Sequence, residues 1–447
     1  MTLGTHNNRR RNGTSAPLTP NERLWFCGVL VVALCMRLIV VSIQLHKPVM
    51  EFYSHPWEMG FLANSLLHGL GYSSPFGVST GPTAFIAPGY VTVVAGIFFL
   101  FGIYTVKSAL VIILLNVAAS LATIALMMRL ARRLFGAPAG WAAGIFWAVA
   151  LPVLWLPVIF WESSFSALFF VTMLSLALRT RRAPTRYNWI LLGTFTAIAA
   201  LINPALIFSF VAIMGWAAFQ TWNDARAANS TAAPFSWRSP ALGLLALVLV
   251  FAAWPIRNAV RFHAFIPLRS TVGFELWMGN RPGANGRLDE SLFPMYNRSE
   301  LDAYKAQGEV AYIHGKSAAA WSYIGSHPAW FADMTARRVV RFWAGTGNAG
   351  SPVIYQIHAL TTTLLGLLGL GLLFRRDRSL AALFALPLLF FPLPYYMTHA
   401  EFRYRLNLDP VLTLLAAYAA VAIGTALAER KARRPASPTR AVSSATR

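Results

Sequence analysis

Carboxylates and guanidinium groups are unevenly placed along this chain, and their positions carry most of the information about chemistry. Of 16 acids, seven share one polar stretch: Glu275, Asp289, Glu290, Glu300, Asp302, Glu309 and Asp333. Glu51, Glu58, Glu162, Glu401 and Asp409 stand at the ends of apolar runs or in the loop after the first run. Only Glu22, Asp224, Asp377 and Glu429 fall on the cytoplasmic side, each with basic neighbours. A carboxylate beside an apolar zone costs a few kcal/mol unless it is partnered or used. Glu58, in His55-Pro56-Trp57-Glu58-Met59-Gly60, and Glu162, in Ile159-Phe160-Trp161-Glu162-Ser163-Ser164, are the first candidates for proton transfer with a hydroxyl. Each also has an ordinary reading. Glu58 would answer a helix dipole from the first turn, and Glu162 would cap a helix or face water. Glu51, a loop acid next to an apolar run, is the weaker alternative to Glu58.

The cations to set against them are Arg403 and Arg405, in His399-Ala400-Glu401-Phe402-Arg403-Tyr404-Arg405, and Arg257, in Trp254-Pro255-Ile256-Arg257-Asn258. A planar guanidinium grips a phosphate through two parallel hydrogen bonds. Pairing of Arg403 or Arg405 with Glu401, Asp409 or Glu162 is the structural reading, and the two readings are compatible. A base in reach of a hydroxyl, with cations for a departing phosphate, is the equipment for attack on a sugar phosphate.

The elements that hold these groups follow from composition. The chain has 447 residues, 56% hydrophobic and 12% charged. A soluble protein carries about a quarter charged residues. Several runs reach the ~20 apolar residues of a bilayer-crossing helix. These values exclude a soluble globular enzyme, a disordered chain and a disulfide-stapled domain. The net charge of +22 is not a nucleic-acid footprint, because the basic clusters punctuate apolar runs instead of forming one stripe. Arg9–Arg11, Arg129–Arg133, Arg179–Arg186, Arg375–Arg378 and Lys431–Arg434 mark the cytoplasmic side by the positive-inside rule. Cys27 and Cys35, ~12 Å apart on one helix, are too distant for a disulfide and serve as apolar filler.

Alternating sides from the basic clusters gives about ten crossings: 24–45, 108–128, 139–160, 163–178, 189–202, 205–220, 242–254, 354–374, 380–393 and 411–427. The first reads as an uncleaved signal anchor. Phe85–Tyr104 spoils the parity, and Pro88-Gly89 and Gly102 suit a re-entrant or interfacial helix there. The expected organisation is a basic cytoplasmic tail (1–23), an N-terminal transmembrane module (24–254) with a first outer loop (47–107), a large outer segment (255–353), C-terminal crossings (354–428) and a basic tail (429–447). Within the outer segment Ser299–Gly325 reads as a helix. His327-Pro328 breaks it before a second, Ala329–Trp343, with Arg337, Arg338 and Arg341 on a basic flank. Such a hairpin would cover the site and help select an acceptor, or lie on lipid headgroups. Trp155, Trp161, Trp254, Trp277, Tyr395 and Tyr396 read mainly as interface-belt aromatics, one or two of which could stack on a sugar. Arg37 faces the bundle without an assigned role.

With these segments in place the chain resembles the GT-C superfamily of membrane glycosyltransferases, above all bacterial relatives of protein O-mannosyltransferase and the lipid A aminoarabinose transferase. The likeness runs from about Leu24 to Pro410. It rests on Trp57-Glu58-Met59-Gly60 with Leu70–Phe76, on Gly81-Pro82-Thr83-Ala84 with Ala87-Pro88-Gly89-Tyr90, on Trp254–Asn258 with Glu275–Asn280, and on Arg403-Tyr404-Arg405 before Asp409-Pro410.

The resemblance implies an all-α integral membrane protein of the bacterial cytoplasmic membrane, active on its outer face. It implies transfer of a sugar, with inversion, from a polyprenyl monophosphate carrier to an acceptor (protein, lipid or glycan). Many relatives carry Asp, often Asp-Glu, as base in the first outer loop; this loop offers only Glu51 and Glu58, and Glu58 matches the position better. The expected roles are Glu58 as base, Glu162 orienting a substrate hydroxyl, and Arg403, Arg405 and Arg257 on phosphate beside Glu401 and His399. No obligatory metal is expected, since His55, His68 and His399 lack ligand spacing, although metal use varies among relatives and a divalent ion is compatible. The rival readings are a lipid-linked-sugar flippase or transporter, and a non-catalytic scaffold in which outer acids and arginines only pair.

Overall fold

A computed structural model describes residues 18–44, 57–227, 236–347 and 350–432. Glu51, His55 and most of both basic tails lie outside the described residues. The described chain is all helix and loop, its one β-bridge joining Ser73 to Pro82.

The helices are α1 (Pro20–Gln44), α2 (Glu58–Leu67), α3 (Pro88–Phe101), α4 (Val106–Phe135), α5 (Ala137–Val149), α6 (Ser163–Arg182), α7 (Arg186–Ile202), α8 (Leu206–Ala227) and α9 (Arg238–Phe262). They continue with α10 (Val272–Asn280), α11 (Arg298–Gln307), α12 (Glu309–Ser326), α13 (Pro328–Ala344), α14 (Val353–Arg376), α15 (Arg378–Phe390) and α16 (Phe402–Ala432). Among the described residues eight helices are long and apolar enough to cross a membrane, or nine if α5 and the turns that follow it count as one bent span. This is an integral membrane protein. The ten expected crossings fall on helix, the 139–160 one on the bent span; α7, with 17 residues, is shorter than the eight long helices. The helix α3 has 14 residues, about 21 Å at 1.5 Å each, too short for a ~30 Å hydrocarbon layer. Proline starts it, and Gly102, at φ +92°, ends it.

Three boundaries differ from the sequence reading. The last helix starts at Phe402, nine residues before the expected crossing, so Arg403, Arg405 and Asp409 lie on helix. The helix α9 runs past Trp254 to Phe262 with Pro255 inside it, so the expected boundary at 254 falls within an element. The expected helix 299–325 is divided at Gly308, whose φ of +76° suits glycine.

The bent span explains Arg37. Leu151–Val158 turns 63° from α5, and Pro152 has no N–H to continue the ladder. The freed carbonyls of Trp147 and Ala148 accept bonds from the buried Arg37 guanidinium at 3.2 Å, while its Nε donates to Ser120 at 2.8 Å. Backbone groups released inside a bilayer must find internal partners, and Arg37 supplies them.

Two cores divide the work. One fills the helix bundle around Trp147, Phe170, Trp189 and Phe384. The other joins the 57–98 region to the polar segment, with Trp57, Tyr72, Phe76, Phe85, Phe274, Tyr304 and Tyr312 in one cluster. A buried carboxylate ties them further: Glu309 accepts from Thr83 Oγ1, from the Ala84 N–H at 2.8 Å and from Tyr304 at 2.5 Å. The first loop and the polar segment therefore fold as one cap on the bundle.

Candidate active site

Between cap and bundle lies a cavity of about 650 Å³. Its wall includes Glu58, Glu162, Arg269, Glu275, Glu290, His399, Glu401 and Arg403, with Trp57, Trp161, Tyr296, Tyr395 and Tyr404 among its aromatics. Of the residues singled out in the sequence, Glu58, Glu162, His399, Glu401 and Arg403 meet here.

Glu58 enters as the first residue of α2, directly after Trp57, and is 7% exposed. Burial raises its carboxyl to about 7; its own N–H and the Arg403 charge only partly offset this. Glu162 precedes α6 where the bent span turns back into the bundle. Burial raises it too, against the opposing pull of its backbone N–H, Arg403 and Arg269. Among the described residues its Oε2 is buried without a hydrogen-bond partner.

The cations are held in place by acids. Arg403 donates from Nε to Glu401 Oε2 at 2.6 Å, and its guanidinium lies over the rings of Trp161 (4.7 Å) and Tyr404 (5.1 Å). Tyr404 in turn stacks on Tyr395 at 4.4 Å. Burial opposes ionisation of Glu401, but Arg403 outweighs it and holds the carboxyl below its ordinary range. Arg269, just before α10, donates to Glu275 at 2.6 Å and to Thr271. His399 lies between the two pairs, its Nε2 3.1 Å from the Tyr404 hydroxyl and its Nδ1 3.3 Å from Glu275 without hydrogen-bond geometry. Burial lowers the His399 pKa against the pull of Glu275 and Glu401, so the ring is neutral at physiological pH.

Two expected phosphate ligands sit elsewhere. Arg405 is fully buried within the bundle, paired with Asp409 one turn along α16 and bonded to Ala359 O, Thr362 and Thr363. His358 contacts the other oxygen of Asp409. Arg257 donates to the backbone carbonyls of Thr83 (2.7 Å) and Tyr72 (2.9 Å) and rests on the rings of Tyr72, Trp254 and Phe262. Neither lines the cavity. Each guanidinium is turned to acceptors away from the cavity: Arg405 to Asp409 on its own helix and to α14, Arg257 to carbonyls of the cap.

Sequence reasoning missed Arg269 and Glu275 as wall residues. The signal for Arg269 was available, because it too is an arginine on the non-basic side of a crossing. Among the described residues no three His, Cys, Asp or Glu side chains converge as metal ligands.

No protein-family model and no characterised protein sequence matches the chain. Solved structures do. The oligosaccharyltransferase of Archaeoglobus fulgidus in its apo form superposes with a TM-score of 0.52 at 14% identity, over 92% of this chain and 52% of that one. A second structure of that archaeal enzyme, AglB with an inhibitory peptide and a dolichol-phosphate, gives 0.46 at 13% identity, over 93% and 52%. ArnT from Cupriavidus metallidurans bound to undecaprenyl phosphate gives 0.36 at 17% identity, over 93% and 81%. The first of these carries the fold: this chain shares the membrane-helix fold of that archaeal oligosaccharyltransferase. It spans about half the length of the archaeal enzyme.

Proposed function

We propose that the chain transfers a sugar from a polyprenyl monophosphate carrier to an acceptor hydroxyl at the outer face of the cytoplasmic membrane, with inversion. The observation that carries this reading is a single cavity whose wall unites a buried carboxylate, Glu58, which forms no salt bridge among the described residues, with the guanidinium groups of Arg403 and Arg269. The acceptor oxygen attacks the anomeric carbon. The bond from that carbon to the phosphate oxygen breaks, and the electron pair leaves with the carrier phosphate. Glu58 takes the acceptor proton, as a base whose pKa near 7 suits neutral conditions. Arg403 and Arg269, preorganised by Glu401 and Glu275, stabilise the charge that grows on the phosphate. Glu162 accepts a hydrogen bond from a substrate hydroxyl through its free oxygen.

The test uses purified full-length protein in liposomes, with polyprenyl-phosphate donors carrying labelled sugars and membrane extract as acceptor source. Carrier phosphate released in step with label appearing on an acceptor supports the reading. Label that crosses the bilayer with the sugar–phosphate bond intact would instead establish a flippase.

A further inference from the structure

The polar cap holds guanidinium groups that the cavity does not use. Arg281, Arg298 and Arg337 are paired with Asp289, Asp302 and Asp333. Arg287, Arg338 and Arg341 have no carboxylate partner among the described residues, only carbonyl and amide oxygens. Arg287 Nε donates to Gly347 O at 3.1 Å, and Arg341 to Asn285 O. Arg338 is fully buried and spans Tyr396 O, Met397 O, Gly279 O and Asn280 Oδ1, yet its Nε has no hydrogen-bond partner among the described residues.

Gly286 brings these three together. It adopts φ +73°, and a Cβ there would lie 3.1 Å from Arg338 Nε and 3.2 Å from Arg341 Nη1. Both guanidinium groups therefore approach the point where a side chain would stand on Gly286, and Arg287 is next in line. Burial, then repulsion from Arg287 and Arg337, pushes the Arg341 pKa below its ordinary value. Like charges gathered this way, each with unused donors, favour a bound anion.

The cluster adjoins the cavity on both sides. Leu288, the residue after Arg287, lines the cavity wall. Gly347, which accepts from Arg287, packs so closely on Ala400 and Glu401 that a Cβ would stand 2.5 Å from Ala400 O and 2.9 Å from Glu401 Cα. The two arginines of the cavity are engaged by Glu275 and Glu401 and, on the proposed reading, by the carrier phosphate, so a second anionic substituent is left to this rim. We infer that Arg287 and Arg341, backed by Arg338, form an anion site at the cavity rim that takes a phosphate or carboxylate group of the acceptor. The inference rests on reading the cavity as a glycosyl-transfer site.

The experiment titrates inorganic phosphate into the full chain in phosphatidylcholine nanodiscs already saturated with polyprenyl phosphate. The expected result is one further saturable phosphate site. The Arg287→Gln/Arg341→Gln double variant weakens it at least tenfold and keeps its polyprenyl-phosphate affinity. Arg337→Gln changes it less than twofold. Each single variant is read the same way should the double variant fail to fold. Equal phosphate affinity in wild type and variants, or no saturable site, overturns the rim site alone. More than tenfold competition when phosphatidylglycerol replaces phosphatidylcholine assigns the site to headgroups and overturns the acceptor role. Failure of the wild type to bind polyprenyl phosphate overturns the donor reading, and the acceptor assignment with it.

Discussion

Replacing Glu58 by Gln should make the protein more stable at alkaline pH and nearly inactive, two effects of opposite sign from one atom change. Burial lifts the carboxyl from 4.5 to about 7, so the folded protein holds that proton more tightly than the unfolded chain. With the folded value raised, the stabilising contribution is present in full below pH 4.5. It is lost as pH climbs from there through about 7. The loss amounts to about 3 kcal/mol at 1.36 kcal/mol per pH unit. Gln never ionises, so the thermal midpoint of the Glu58→Gln protein in nanodiscs should match wild type near pH 4, exceed it increasingly up to about pH 7 and hold that lead at pH 8. The proposed transfer needs Glu58 ionised, so wild-type transfer should rise about tenfold per pH unit up to about 7 and then level off. The variant should transfer roughly 10²–10⁴-fold more slowly. Undiminished transfer by Glu58→Gln would remove Glu58 as the base. A midpoint difference that stays constant from pH 5 to 8 would refute the burial argument itself.

Two further substitutions separate the cavity arginine from the bundle arginine. Arg269→Gln removes a charged donor at the phosphate position and should raise the donor KM roughly tenfold or more, with a thermal midpoint close to wild type. Arg405→Gln strands Asp409, which is 0% exposed, and should cost about 3–5 kcal/mol of stability. Transfer per folded molecule should stay within a few-fold of wild type, since Arg405 lies outside the cavity; a normal midpoint with lost donor binding would return Arg405 to the phosphate site.

The part of the site legible in the sequence is the part whose depth is fixed by local apolar patterning. Glu58 and Glu162 begin helices at the edge of apolar runs, and His399, Glu401 and Arg403 occupy the short gap between two such runs; alternation of crossings alone brings them to one level. Direction around a helix axis was harder to read. Arg403 and Arg405 look like twins flanking Tyr404, but on a helix that starts at Phe402 they point ~200° apart, so one faces the cavity and the other the bundle. Their different fates follow from where that helix begins, and the expected start at 411 hid it. Arg257 shows a second limit. Its acceptors are the carbonyls of Tyr72 and Thr83, which reach it only because Glu309, far along the chain, pins Thr83 and Ala84 into the cap. The contact of Glu275 with His399 has the same origin, since α10 meets the 393–399 turn through Asn280 and Arg338. Membrane depth is written in composition, and azimuth is written in helix boundaries. The pairing of cap with bundle depends on a few buried polar clasps that no periodicity announces.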